Sequence, residues 1–231
     1  MKTYEYTMGK VLDLKEEQKK TLAAPGLDQN IVLRVIYWCM DIIYGKGRSL
    51  GKLKVLEILA RYPYWAWEIC SYHSLTRSYV RGKEVEINGV DARLRHIEMG
   101  RKSQDNEQWH MMLIEDIMRQ KGIKQSWLKG TVLAYFMAFV YHYFTRVLYF
   151  FKPEWSFAMN ASFESHAEKQ YMLMVQEHPE WEEEEVETHY FQHYPRQATL
   201  ADLFRRIALD ERDHKFESCE EYERITGHCL C

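Results

Sequence analysis

The residues best equipped for chemistry are two Glu-x-x-His motifs. Asn106-Glu107-Gln108-Trp109-His110 has a near twin in Asp210-Glu211-Arg212-Asp213-His214. On a helix, side chains three apart share a face, so each motif offers one carboxylate oxygen and one imidazole nitrogen to the same point in space. That is half of a metal site. Helical bundles build dinuclear iron or manganese centres from two such motifs plus one glutamate from each of two further helices. In a chain with ten histidines such a motif could arise by accident on a solvated face, yet only His110 and His214 have Glu three residues before them. Around the second motif, Leu200, Phe204, Ile207, Ala208, Glu211 and His214 follow the spacing of a core-facing stripe. The first continues into Met111, Ile114 and Ile117. An ionised Glu on an apolar face is costly unless positive charge compensates it, and two bound cations would do so.

The elements that must position these motifs can be traced along the chain. Residues 1–27 are polar, close with Ala-Pro-Gly and read as an arm with little core of its own, leaving 28–231 as one domain. Ile31 to Ile43 is apolar on most faces but too short to span a bilayer. It is either buried or laid in a membrane surface, with Lys46, Arg48, Lys52 and Lys54 near enough to meet anionic lipid. A helix from about Leu50 to Tyr79 holds Glu57 and, three turns on, Glu68; periodicity does not choose between them. Lys83 to Asp91, with Asn-Gly as its turn signal, reads as a loop or small hairpin. The first motif's helix follows from about Ala92 to Lys121.

Leu128 to Phe151 is the most apolar stretch, but His142, Thr145 and Arg146 inside it favour a half-embedded or buried helix over a spanning one. A helix from about Trp155 to Glu177 carries Glu164, Glu168 and Tyr171, and the last runs from about Thr199 to Arg224. The acidic run Glu182 to Glu185 reads as a solvated loop, and His189 with His193 is a weak metal pair. The formal charge of −3 implies no attraction to nucleic acid. Five cysteines without framework spacing are expected to be reduced thiols. The opening residues lack the apolar core of a secretory signal and are too acidic for a transit peptide, so an untargeted, prokaryotic-type protein is expected.

Taken together, four segments resemble the alternative oxidase family, and most closely its plastid terminal oxidase branch. Leu56-Glu57-Ile58-Leu59-Ala60-Arg61-Tyr62-Pro63-Tyr64 is similar to the family's Leu-Glu-Thr-Ile-Ala-Arg-Val-Pro-Tyr; the two Glu-x-x-His segments match its Asn-Glu-x-x-His and Asp-Glu-Ala-x-His. Phe163-Glu164-Ser165-His166-Ala167 is similar to the plastid-type Val-Glu-Ser-His-Ala, where the mitochondrial branch has Leu-Glu-Glu-Glu-Ala. The resemblance selects Glu57 over Glu68 and Glu164 over Glu168. It implies six ligands, Glu57, Glu107, His110, Glu164, Glu211 and His214, for two iron ions. It gives Tyr171 a redox role beside them and makes Asn106 and Asp210 the residues that orient the ligands. By the same resemblance Leu56, His166 and Gln170 line a quinol pocket. The longer segment at Lys83 to Asp91 and His166 in place of a glutamate depart from the mitochondrial pattern and bear on which quinol is used.

The implied protein is all-α, with six helices around a ferritin-like four-helix di-iron core and interfacial, monotopic membrane association through the helices near 31–43 and 128–151. Its implied function is a quinol:oxygen oxidoreductase, oxidising ubiquinol or plastoquinol and reducing O2 to water. A homodimer on one leaflet of a bacterial inner or thylakoid membrane, cytoplasmic side, is the expected setting. The rivals are another di-iron carboxylate enzyme, such as a hydroxylase or ferroxidase, and a non-catalytic helical protein of the membrane surface.

Overall fold

In the computed structural model, which describes residues 2–82 and 86–231, the described elements are helices apart from one isolated bridge between Glu185 and Thr199. The described residues form seven α-helices: α1 (Leu14–Ala23), α2 (Ile31–Tyr44), α3 (Leu50–Val80), α4 (Ile87–Gln120), α5 (Ala134–Phe151), α6 (Pro153–Glu177) and α7 (Leu200–Thr226). A π-helical turn, Leu128–Leu133, leads into α5, and two short 3-10 turns separate α6 from α7. Most starts are written locally. Asp13, Asn30, Ser49 and Thr199 each accept from backbone N–H groups of the helix they cap, and Pro153 opens α6, where its missing N–H costs nothing. Gly227 closes α7 at φ 74°, a left-handed conformation that suits glycine.

Helices α3, α4, α6 and α7 form the central bundle, and paired residues fix their directions. Between α3 and α4, Lys54 meets Glu115 and Glu68 meets Arg101; between α6 and α7, Asn160 meets Ser218 and Glu168 meets Arg212. Between α3 and α6, Tyr64 meets Glu164 and Trp67 meets Ser156; between α4 and α7, His96 meets Glu221 and His110 meets Asp210. In each pair one number rises as the other falls, so all four neighbours run antiparallel. Leu56, Leu59, Leu113, Ile114, Phe163 and Ile207 fill the centre at one end of the bundle, and Trp67, Tyr149 and Phe157 fill the other. Helix α5 packs across α3 and α6, and α2 touches α3.

Three expectations change. The helix count is seven rather than six, because the polar arm contains α1. That helix docks on α6 and α7 through polar groups: Glu17 pairs with Arg212, Thr21 donates to Glu168, and Gln18 donates to the Met172 carbonyl. Only Leu14 and Leu22 of this helix pack against the core, too few to show as an apolar stripe. Second, α4 starts at Ile87, so Asn88 and Gly89 lie in its first turn, where N–H groups have no intrahelical partner and a turn signal is tolerated; the loop or hairpin expected earlier falls for the rest on residues 83–85, outside the described residues. Third, Cys219 and Cys231 are joined as a disulfide, while Cys39, Cys70 and Cys229 are free. No described helix is long and apolar enough to cross a membrane.

Helices α3 and α4 come close at Gly100, where an added Cβ would lie 2.7 Å from the Tyr64 carbonyl oxygen. Gly100→Ala should therefore lower stability by about 1–3 kcal/mol through overpacking, outweighing the roughly 1 kcal/mol that alanine gains in helix propensity. Thermal unfolding measures this, and an unchanged or higher Tm would contradict so close a contact.

Candidate metal centre

Each bundle helix delivers its residues to one level of the core. Glu57 comes from α3, Glu107 and His110 from α4, Glu164 from α6, and Glu211 and His214 from α7. All six are buried. Their donor atoms form two overlapping groups, Glu57, Glu107, His110 and Glu211 on one side and Glu107, Glu164, Glu211 and His214 on the other, each within 4.8 Å of one another. Glu107 and Glu211 belong to both. The arrangement is thus near-symmetric: two shared carboxylates in the middle, with one further carboxylate and one imidazole at each end.

The imidazoles are aimed accordingly. His110 Nδ1 lies 3.2 Å from Glu57 Oε2 and 2.9 Å from Glu211 Oε1, while its Nε2 lies 3.3 Å from Asp210 Oδ2. Donation from Nε2 to Asp210 leaves the Nδ1 lone pair facing the carboxylates. His214 Nδ1 comes within 2.8 Å of Glu107 Oε1, yet this nitrogen and both oxygens of Glu107 and of Glu211 have no aligned hydrogen bond. Glu164 Oε2 likewise has no partner among the described residues. Buried polar atoms are rarely left so. Converging lone pairs without donors are what a cation requires, and four carboxylates nearly neutralise two divalent ions.

Charge crowding sets the proton affinities. Burial, then the charges of Glu211 and Glu107, raises the Glu57 carboxyl well above its ordinary value; burial and the same two neighbours raise Glu164. Burial also works against ionised Glu107, but His110 and His214 hold it below the usual range. Burial works against both charged imidazoles, but Tyr194, Asp210, Glu107 and Glu211 raise His110, and Glu107 and Glu211 raise His214.

A second layer of side chains fixes the first. Tyr171 donates a short hydrogen bond to Glu57 Oε1, and Tyr64 donates to Glu164 Oε1 at 2.7 Å while accepting from Asn160 at 3.0 Å. Asp210 is held from three sides, by Tyr194 Oη at 2.6 Å, by Arg206, and by His110. Burial opposes its charge, but these partners bring it down to about 2. Asn106 reaches Asp210 at 3.5 Å and touches no ligand ring, so of the two expected orienting residues only Asp210 contacts an imidazole. Arg206 also donates to Thr7 Oγ1 at 2.8 Å, and Asp213 accepts from the backbone N–H groups of Thr7 and Met8, tying the arm to α7 beside the centre.

Several of these partners escaped the sequence. Tyr64 and Asn160 sit at helical spacing from Glu57 and Glu164, which is a usable signal; Tyr194 lies outside the helices and Arg206 shares its face with Asp202, Asp210 and Asp213, so neither carried one. Glu68 pairs with Arg101 and Glu168 with Arg212 and Lys215, away from the cluster. His193 stacks on Trp109, His189 packs at a tilt against Tyr190, and Glu182 and Glu184 pair with Arg205 and Lys121. Leu56, His166 and Gln170 do come together. They line a cavity of about 200 Å³ between α2, α3 and α6, next to Tyr37, Arg48 and Lys52. In it the His166 ring stacks on Tyr37 with centroids 4.0 Å apart, and its Nδ1 accepts from Gln29 at 2.9 Å. Burial, with Lys52 and Arg48 nearby, lowers its pKa to about 4.

Fold and site together define a four-helix carboxylate–histidine bundle, the class that builds dinuclear metal centres. A family model described as alternative oxidase matches residues 29–220, and the chain belongs to the alternative oxidase family. No curated protein matches the chain. The family is one of membrane-associated di-iron quinol oxidases, which makes this chain an oxidoreductase acting on quinol and O2.

The pH dependence of the metal-free protein follows from these shifts. Glu57 and Glu164, raised above 4.5, and His110 and His214, raised above 6.5, make the folded chain bind more protons than the unfolded one. Their contribution is present below those ordinary values and is lost as pH rises through the folded ones. Glu107 and Asp210 act oppositely, but their contribution fades only in acid. Metal-free protein should therefore lose stability as pH rises above the ordinary histidine value of 6.5, and a divalent cation should flatten that slope by replacing the shared protons. Melting curves across pH, with and without ferrous or manganous ion, test it; stability rising over this range in the metal-free form would contradict the assignment.

Proposed function

We propose that the chain is a quinol:oxygen oxidoreductase of the plastid terminal oxidase type, with two iron ions held by Glu57, Glu107, His110, Glu164, Glu211 and His214. The observation that carries this reading is the pair of buried donor groups sharing Glu107 and Glu211. The irons would supply the redox chemistry, in which two quinols give up four electrons and four protons and O2 becomes two waters. The protein's own residues hold, orient and exclude water. Asp210 fixes the His110 tautomer, Tyr64 and Tyr171 fix the outer carboxylates, and the apolar core around Leu56, Ile114 and Phe163 keeps the centre dry. Tyr171, buried and bonded to Glu57, is placed to exchange an electron and proton with the centre.

We place quinol in the cavity of Leu56, His166 and Gln170, each of which lies within two residues of a ligand or of Tyr171. His166 is neutral there, and with Nδ1 occupied by Gln29 its Nε2–H remains to donate to a quinol oxygen. The cavity opens beside α2, consistent with a substrate that arrives from lipid. On α2, Ile31, Val35, Trp38 and Ile42 are more than half exposed and share one face; on α5, Tyr135, Phe136, Phe139, Tyr143, Val147 and Phe150 do the same. Such aromatic-rich exposed stripes suit insertion into one leaflet. Residues 28–231 are proposed as the catalytic domain, working as a homodimer on the cytoplasmic side of a bacterial inner or thylakoid membrane. A soluble di-iron hydroxylase or ferroxidase would use the same ligands but gives no account of these stripes.

Membranes carrying the chain should consume O2 when given quinol in the presence of cyanide, and Glu211→Ala, which removes a shared ligand, should abolish both uptake and bound iron. Uptake that survives Glu211→Ala would refute the assignment. Tyr171→Phe should retain two irons while kcat falls by about tenfold or more, and His166→Ala should raise KM for quinol with iron content unchanged.

A further inference from the structure

A cavity of about 690 Å³ lies toward the other end of α3, between the last turns of α3, the second turn of α4 and the end of α5. Four arginines line it: Arg77 from the last turn of α3 and Arg81 just past its end, Arg93 from α4 and Arg146 from α5. His73, Ser74 and Ser78 add hydrogen-bonding groups, and no acidic side chain lines it among the described residues. Elsewhere on the same helices cations are paired: Lys54 with Glu115, Arg101 with Glu68, Lys102 with Glu217. Within the cavity none of the four arginines has an acidic partner among the described residues, and Arg93 donates only to the Tyr149 hydroxyl, at 3.2 Å. Convergent guanidinium groups repel one another and favour a multiply bonded oxyanion.

The remaining wall is apolar. Tyr143, Val147, Phe150 and Phe151 line it, each more than half exposed and continuous with the outward stripe of α5. A free phosphate ion would leave that wall unused, whereas an amphiphile covers both surfaces. We propose that this cavity binds the phosphate of an anionic phospholipid, with an acyl chain laid along α5. The inference rests on the reading of α5 as a membrane face. It adds a discrete anchoring site, which orients the molecule in the leaflet, at a position remote from the quinol cavity beside α2.

Sedimentation with vesicles tests it. Full-length protein should bind phosphatidylcholine vesicles containing phosphatidylglycerol more tightly than pure phosphatidylcholine. Arg77→Gln with Arg146→Gln should remove about thirtyfold of that preference, from roughly a factor of five per basic residue. Lys124→Gln with Lys129→Gln, an equal charge change outside the cavity, should remove little, and circular dichroism would confirm that both variants fold. Equal losses in the two variants would overturn a discrete site in favour of a diffuse basic surface. Loss of binding on adding millimolar glycerol phosphate would make it a site for soluble phosphate, and a changed oligomeric state with lipid preference intact would make it a contact between copies; either refutes the proposal. Binding to both vesicle types without preference would sink this site and leave the membrane face standing, whereas no binding to any vesicle would sink both.

Discussion

Four carboxylates gathered in a dry core are the constraint from which the rest of this molecule follows. Left alone they would repel one another and pay a large desolvation cost, so they persist only where positive charge is shared among them. Two imidazoles supply part of it, protons supply part in the metal-free chain, and two divalent cations would complete it. The four long helices meet this demand geometrically. Because every neighbouring pair runs antiparallel, Glu57, His110, Glu164 and His214 arrive at one level without a bend in any ligand-bearing loop. The outer acids each receive one tyrosine hydroxyl, and the shared acids receive none. That difference leaves the oxygens of Glu107 and Glu211 open to a cation.

The same constraint explains why so much of the site could be seen in the sequence. A glutamate and histidine three apart inside an apolar stripe conflict with ordinary core composition, and the conflict itself is the signal. Periodicity alone could not choose Glu57 over Glu68 or Glu164 over Glu168, since both members of each pair lie on long helices with mixed faces. The resemblance to a family made this choice; in the fold, Glu68 and Glu168 pair with arginine and lysine side chains. What stayed hidden was the layer behind the ligands. Tyr194 comes from irregular chain, and Arg206 shares its face with Asp202, Asp210 and Asp213, which reads as an ordinary polar stripe. Their roles depend on tertiary neighbours far away in sequence.

The arm was misjudged for a related reason. Sequence periodicity registers apolar burial, whereas α1 is held by ion pairs and hydrogen bonds to Arg212, Glu168 and Met172, which leave no pattern on the helix itself. The helices near 31–43 and 128–151 show the converse case. Their apolar character was plain, but only the structure tells which side chains face outward, and it leaves a row of aromatic rings in the open on α5.

One guanidinium joins two regions that would otherwise be independent. Arg206 bonds at once to Thr7, which precedes the stretch shared with the family, and to Asp210, which steadies the His110 ring. The leading segment can thereby bias the basicity of an imidazole it never touches. Inheritance could adjust the centre's grip on its ions by editing the front of the chain while the donors themselves stay untouched.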